Sequence, residues 1–254
     1  MSLQYEKESE QTEISAQQAE NVQLAKPVIP YYTIIIIVCL VIAAVCQTAI
    51  DGRNSILSGG DESVLLAGFV KPAFADGQYW RILTGMVLHG GAIHLLLNCY
   101  ALYALGKYIE ILSNRAHLAI VFLLSAIGGS LLSLAFLPEG ISVGASGGII
   151  GFLGYLAVYG FRRRELLTTQ FLKSMLFNIG FIALYGIALY QVIDNFGHLG
   201  GLLTGAIYGF FQISGDVYKD PREVGAATEI FGLAALGIVI ATSIFSVLIL
   251  LRII

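Results

Sequence analysis

Apolar residues run along this chain in long blocks, divided by short polar stretches and one longer mixed segment. A helix that crosses a bilayer needs about 20 mostly apolar residues. Seven blocks reach or approach that length: 31–50, 91–112, 116–137, 146–161, 170–190, 196–214 and 230–251. The fourth is short and begins at Ser146, so it is expected to start below the membrane surface.

This pattern predicts an all-α polytopic membrane protein, a six-helix bundle followed by one C-terminal transmembrane helix. Residues 1–30 form a polar, acidic tail with too few apolar residues to bury, and 31–214 form the six-span core. Residues 215–229 form a polar linker carrying Asp216, Lys219, Asp220, Pro221 and Arg222, and 230–254 hold the seventh helix. Between the first two spans, Asp51 to Gly90 mixes apolar and polar runs and suits an interfacial loop anchored by Trp80. A cleavable secretory signal is not expected, because the first apolar run begins only near Tyr31 and no basic region directly precedes it.

Composition agrees. The chain of 254 residues is 57% hydrophobic and 12% charged, against about 25% charged in soluble domains. The net charge of −3 owes much to tail glutamates, and no basic stripe argues for nucleic acid. Cys39, Cys46 and Cys99 lie within apolar runs and read as small apolar residues rather than a disulfide framework. Basic residues set the orientation. A cytoplasmic N-terminus puts Arg162, Arg163 and Arg164 inside and leaves only Arg53, Lys71, Arg81 and Arg252 outside.

That topology places four polar side chains from three spans in the outer third of the membrane: Ser146, His198, His94 and Asn98. Hydrocarbon does not solvate such groups, so each needs a partner or a task. Ser146 lies in Gly144-Ala145-Ser146-Gly147 at a helix start, where free N–H groups favour developing negative charge. Its bland reading is a small residue in helix packing. His198 reads equally well as a structural histidine bonded to a carbonyl. Yet Gly201, Gly205 and Gly209 follow it on one helix face, and Gly147, Gly148, Gly151 and Gly154 follow Ser146. Two smooth faces permit the close approach that a serine–imidazole hydrogen bond requires. His94 and Asn98 share a face at i,i+4 and could donate to an oxyanion; alone, Asn98 reads as a helix–helix contact. Asp194 could orient His198 or, with Asn195, cap its helix. His89, His94 and His198 could instead build a metal site, although no HExxH pattern is present.

Taken together, the ordered set resembles the rhomboid family of intramembrane serine proteases. It comprises Trp80-Arg81, His89 with His94-x-x-x-Asn98, Gly106-x-x-x-Glu110, Gly144-x-Ser146-Gly147 and His198-x-Gly200-Gly201. The resemblance implies Ser146 as nucleophile and His198 as its base. It implies an oxyanion hole of His94, Asn98 and the Ser146 N–H, a bracing loop with Trp80 and Arg81, and a structural Glu110. His89, Gly147, Gly201 and Gly205 then support the site. The implied partners are transmembrane protein substrates, cut near their outer ends within the lipid bilayer, with no metal or organic cofactor. The family's proposed lateral gate matches the fifth span, with Phe171, Phe177 and Phe181. Two positions depart from the frequent pattern: Ile150 stands where some members carry an aromatic, and Gly197 where alanine is common. The expected setting is a bacterial plasma membrane with the site facing outward. A non-proteolytic relative that binds and routes membrane proteins is the alternative. A small transporter fits less well, because the polar groups cluster towards one side rather than at the midplane.

Overall fold

The long apolar blocks all become helices. The structure, a computed structural model, describes residues 29–52, 55–57, 59–216 and 218–254. The tail expected over residues 1–30 therefore lies outside the described residues except for Ile29 and Pro30, as does the expected outer charge Arg53. The long helices are α1 (Tyr31–Asp51), α5 (Ala92–Leu112), α6 (Arg115–Phe136), α7 (Ser146–Arg162), α8 (Thr169–Ala188), α9 (Asn195–Gln212) and α10 (Ala226–Leu250). The first loop holds three short helices, α2 (Asp61–Ala67), α3 (Lys71–Ala75) and α4 (Arg81–Thr84). It also holds β1 (Phe69–Val70), which pairs antiparallel with β2 (Ile141–Ser142).

Among the described residues, five helices are long and apolar enough to cross a membrane: α1, α5, α6, α8 and α10. The chain is an integral, multi-pass membrane protein. The two remaining long helices, α7 with 17 residues and α9 with 18, are the shorter and more glycine-rich ones at the centre. Helix α10 begins at Ala226, inside the segment expected as linker, with Glu229 in its first turn where the helix dipole favours a carboxylate.

Helices α6, α7 and α9 form the core, each packed extensively on the other two. Helix α9 presents its buried row Gly197, Gly200, Gly201, Gly205 and Gly209 inward. A methyl at Gly201 would strike the Gly147 carbonyl oxygen, and one at Gly205 would strike that of Gly151. On the other side, a methyl at Gly200 would stand 2.6 Å from the Gly128 carbonyl oxygen of α6. Backbone thus rests on backbone on both flanks of α9. In lipid, where apolar burial adds little between helices, this close van der Waals packing is the main attraction.

Outer elements brace this centre. Glu110 of α5 accepts from the Thr33 N–H at 2.8 Å and from its hydroxyl at 2.7 Å, tying α5 to α1. Arg81 is buried, donating to the carbonyls of Gly68 at 2.7 Å and Leu65 at 3.0 Å, so the first loop is folded around one guanidinium. Trp80 stacks under that guanidinium, 4.6 Å away, and meets Phe245 of α10 edge-on at 5.6 Å. The seventh helix is therefore part of the packed body, and Ser243 adds a 3.0 Å hydrogen bond to the Cys39 carbonyl. Helix α8 is the exception. It leans on α7, touches α9 slightly, and buries only Met175 and Gly186.

Because carbonyl oxygens oppose Gly201 and Gly205, a larger side chain there has no rotamer to escape into. Gly205→Val should destabilise the folded protein by at least the 1–3 kcal/mol typical of overpacking, read as a lowered thermal midpoint in detergent. Gly237→Ala, where an added methyl meets nothing within 4 Å, should leave that midpoint unchanged or raise it.

Candidate active site

Three helices begin at the same end of the bundle and bring the polar groups together. Ser146 is the first residue of α7, so its N–H has no acceptor within the helix. His198 lies in the first turn of α9, and its Nε2 is 3.0 Å from Ser146 Oγ. The glycine contacts described above begin one residue beyond the serine, which is why the two side chains meet. Both are half-buried.

The chain leading into α7 is held in an unusual form. Gly144 has φ +120°, a region that side-chain-bearing residues rarely adopt. Its N–H donates to the Gly85 carbonyl at 2.9 Å. A methyl there would also lie 2.6 Å from His94 Cε1 and 2.8 Å from His94 Nε2. The imidazole edge of His94 thus rests on the backbone two residues before Ser146. The Gly90 N–H donates to His94 Nδ1 at 3.3 Å, which places the proton of the neutral ring on Nε2, the edge facing Gly144.

Asn98 is buried, and its Nδ2 donates to the His94 carbonyl at 2.9 Å, leaving one further N–H on the amide. Neither His94 nor Asn98 lines the cavity that contains Ser146 and His198; His94 reaches its edge through Gly144. His89 is buried behind His94, the rings edge to face with centroids 5.2 Å apart. Its backbone is clamped by Gln47, which accepts from the His89 N–H at 2.9 Å and donates to its carbonyl at 3.1 Å. Lying just outside the spanning helices, His89 is held down to about 3 by burial and then by neighbouring His94, so it stays neutral. Among the described residues, no group of three His, Cys, Asp or Glu side chains could hold a metal ion.

Asp194 does not reach His198. One of its oxygens accepts from the Gly197 N–H at 2.8 Å, which makes it the cap of α9. The other accepts from Ser142 at 2.6 Å and from Ser133. His198 Nδ1 is buried with no hydrogen-bond partner among the described residues. Among these residues the arrangement is a pair, serine and imidazole. Sequence reasoning overlooked Ser133 and Ser142 and read Lys71 only as an outer-face charge. A lysine inside the otherwise apolar stretch Phe69-Val70-Lys71-Pro72-Ala73-Phe74 was the available signal.

Two spaces meet at His198. The first, of about 40 Å³, is lined by Phe69, Met86, Ser142, Ser146, Asp194 and His198 and has room for a water or two. The second, of about 660 Å³, is an apolar cleft between α7, α8 and α9, lined by Ile150, Leu153, Ile179, Ile182 and Leu199 and reaching His198. Ile150 is buried and lines that cleft with its aliphatic side chain.

A helical membrane bundle with a serine and a histidine on two glycine-packed helices defines a class of membrane protein, and comparison with known proteins gives its family. The family model described as a Rhomboid domain matches residues 76–215, more than half of the chain. The chain belongs to the rhomboid family. It is similar to RHOMBOID-like protein 6, mitochondrial, of Arabidopsis thaliana, at 33% identity over 61% of this chain and 52% of that protein. It is similar to Rhomboid protease GluP of Bacillus subtilis (strain 168), at 37% over 52% of this chain and 25% of that protein. It is also similar to Rhomboid-like protease 3 of Toxoplasma gondii, at 33% over 56% of this chain and 55% of that protein. The matched part of the chain thus spans about half, or less, of the length of these relatives. The family includes members named as proteases and many named only as rhomboid-like.

Gly144→Ala would meet both a disfavoured backbone angle and the His94 ring, so it should cost roughly 1–3 kcal/mol in a denaturation series in detergent. Gly90→Ala, whose methyl would sit at an ordinary 3.6 Å from His94 Nδ1, should cost little.

Proposed function

We propose that the chain is an intramembrane serine endopeptidase, cutting transmembrane segments near their outer end through a Ser146–His198 dyad. The observation that carries this reading is the 3.0 Å approach of His198 Nε2 to Ser146 Oγ at two helix starts. An alcohol and an imidazole in that relation are a nucleophile and its base.

In this reading Ser146 Oγ attacks the scissile carbonyl carbon while His198 Nε2 takes its proton. The carbonyl oxygen becomes an oxyanion held by the free Ser146 N–H, the remaining Asn98 N–H and His94 Nε2–H. Such donors contribute roughly 3–4 kcal/mol each where water is scarce. Asn98 and His94 do not line the small cavity itself, and His94 borders it through Gly144. The intermediate collapses as His198 returns the proton to the leaving amine. A water then repeats the cycle on the acyl-enzyme, with His198 again as base. The space of about 40 Å³, with Ser142, Ser146, Asp194 and His198 in its lining, suits that water and is too small for a peptide.

The substrate enters another way. The apolar cleft beside the loosely packed α8, lined on that helix by Ile179, Ile182 and Ile187, reaches His198. A substrate helix must also unwind before its peptide bond is exposed, which glycine or proline makes cheaper by about 1–3 kcal/mol. In this reading the basic residues orient the N-terminus to the cytoplasm and the site to the outer side, with seven helices crossing, and the membrane is a bacterial plasma membrane.

The test is covalent labelling of the purified chain by a fluorophosphonate, with peptide mapping. Ser146 should carry the label, Ser146→Ala should carry none, and His198→Ala should label at least about 1,000-fold more slowly. The wild-type rate should fall on the acid side as the base becomes protonated. Labelling that persists in Ser146→Ala removes the nucleophile. Absence of labelling in the wild type leaves a family member that binds membrane proteins without cutting them.

A further inference from the structure

We infer that Asp194, acting through Ser133, Ser142 and Lys71, is a positioning residue that locks the axial register of α9 against the lead-in to Ser146. This rests on the proteolytic reading above. Lys71 is 1% exposed, and its ammonium donates to Ser133 Oγ at 2.7 Å. Ser133, fully buried near the end of α6, donates to Asp194 Oδ2. Ser142 of β2 donates to the same oxygen at 2.6 Å, and Asp194 Oδ1 caps α9 through Gly197. One carboxylate therefore joins the first loop, α6, the strand before the nucleophile and the helix that carries the base.

Helix capping alone does not account for this arrangement. A cap needs one oxygen, and the second oxygen here is committed to two hydroxyls from two other elements. Nor is Lys71 a surface charge. Burial pushes its ammonium below the usual lysine range, and the Asp194 carboxylate pulls it part of the way back. An ammonium placed there at such cost needs the carboxylate nearby to stay charged.

The need for a lock follows from the packing. Glycine faces let α7 and α9 come close, but a face without side chains has few knobs to resist sliding or rotation. The Ser146–His198 hydrogen bond tolerates only a few tenths of an ångström of such slip. Ser142 stands four residues before Ser146, and its pairing partner Phe69 stands two before Lys71. The network therefore fixes both partners of the dyad against one frame.

The test compares full-length variants in detergent by their kinetics with a fluorophosphonate. The inactivation rate at saturation, kinact, is separated from the apparent affinity KI, and the reactive fraction is titrated. Asp194→Asn keeps a capping oxygen but loses the charge. It should lower kinact about 10- to 100-fold, the penalty of a misplaced reacting group, with KI within about twofold and the reactive fraction retained. Lys71→Met should do the same. The double variant should be no slower than the slower single, because both changes release one lock. Should either variant fail to fold, Ser142→Ala removes a single hydroxyl and should still lower kinact severalfold.

Singles that react at the wild-type kinact, or a double whose loss is the product of the two, would overturn the inference. So would losses confined to the reactive fraction, which mark a purely structural role. If the wild type itself fails to label at Ser146, the proteolytic reading falls and this inference with it; wild-type labelling with unchanged variants removes the inference alone.

Discussion

Two helices lying backbone against backbone are the constraint on which everything else in this protein depends. At Gly201 and Gly205 of α9 the facing carbonyls of Gly147 and Gly151 leave no space for even a methyl group. Separation of the helices by ordinary side chains, at interaxial distances of 8–10 Å, would shift Ser146 and His198 away from the geometry of their 3.0 Å contact. Glycine is costly in a helix exposed to water. In lipid it is repaid by dispersion contacts along the whole length of the pair. The central helices α7 and α9 are also the two that fall short on length or hydropathy as independent spans. Their shelter comes from α5, α6 and α8 rather than from their own apolarity.

The proposed chemistry sits at one end of this contact because helix starts offer what it needs. The beginning of α7 has unpaired N–H groups and a positive dipole end. The beginning of α9 presents the imidazole. The first loop, folded around Arg81 and tied to α10 through Trp80, supplies the fixed wall against which Gly144 and His94 are set. Rigidity at this end contrasts with α8, which is mostly exposed along its length and borders the apolar cleft that reaches His198. A rigid serine–imidazole pair beside a loosely held helix is a physically sensible division for the proposed sideways entry of a substrate from lipid.

Much of this was legible in the residues. Unbroken apolar blocks predicted every long helix to within a few positions, since hydrocarbon imposes length and composition on whatever crosses it. Glycines at helical spacing after Ser146 and after His198 predicted the close pair, because only small residues allow it. Less visible were features that depend on partners distant in sequence. The choice between Asp194 as an orienting group and as a cap turned on Ser133 and Ser142, residues 61 and 52 positions away. Lys71 read as an outer-face charge, yet it is buried under the network it feeds. The start of α10 at Ala226 was hidden by the polar character of its first turn, where Glu229 suits the helix dipole. The two-residue pairing of β1 with β2 is too short to leave any periodic trace.

The central claim is that backbone-close packing holds an alcohol and an imidazole in proton-sharing contact within a membrane bundle. A crystal structure of the full-length chain after reaction with a fluorophosphonate measures that most directly. The account predicts phosphorus bonded to Ser146 Oγ, His198 Nε2 within about 3.5 Å of it, and the Gly201 and Gly147 backbones in van der Waals contact. Phosphorus on any other residue, or α7 and α9 held apart by lipid or side chains, would contradict it.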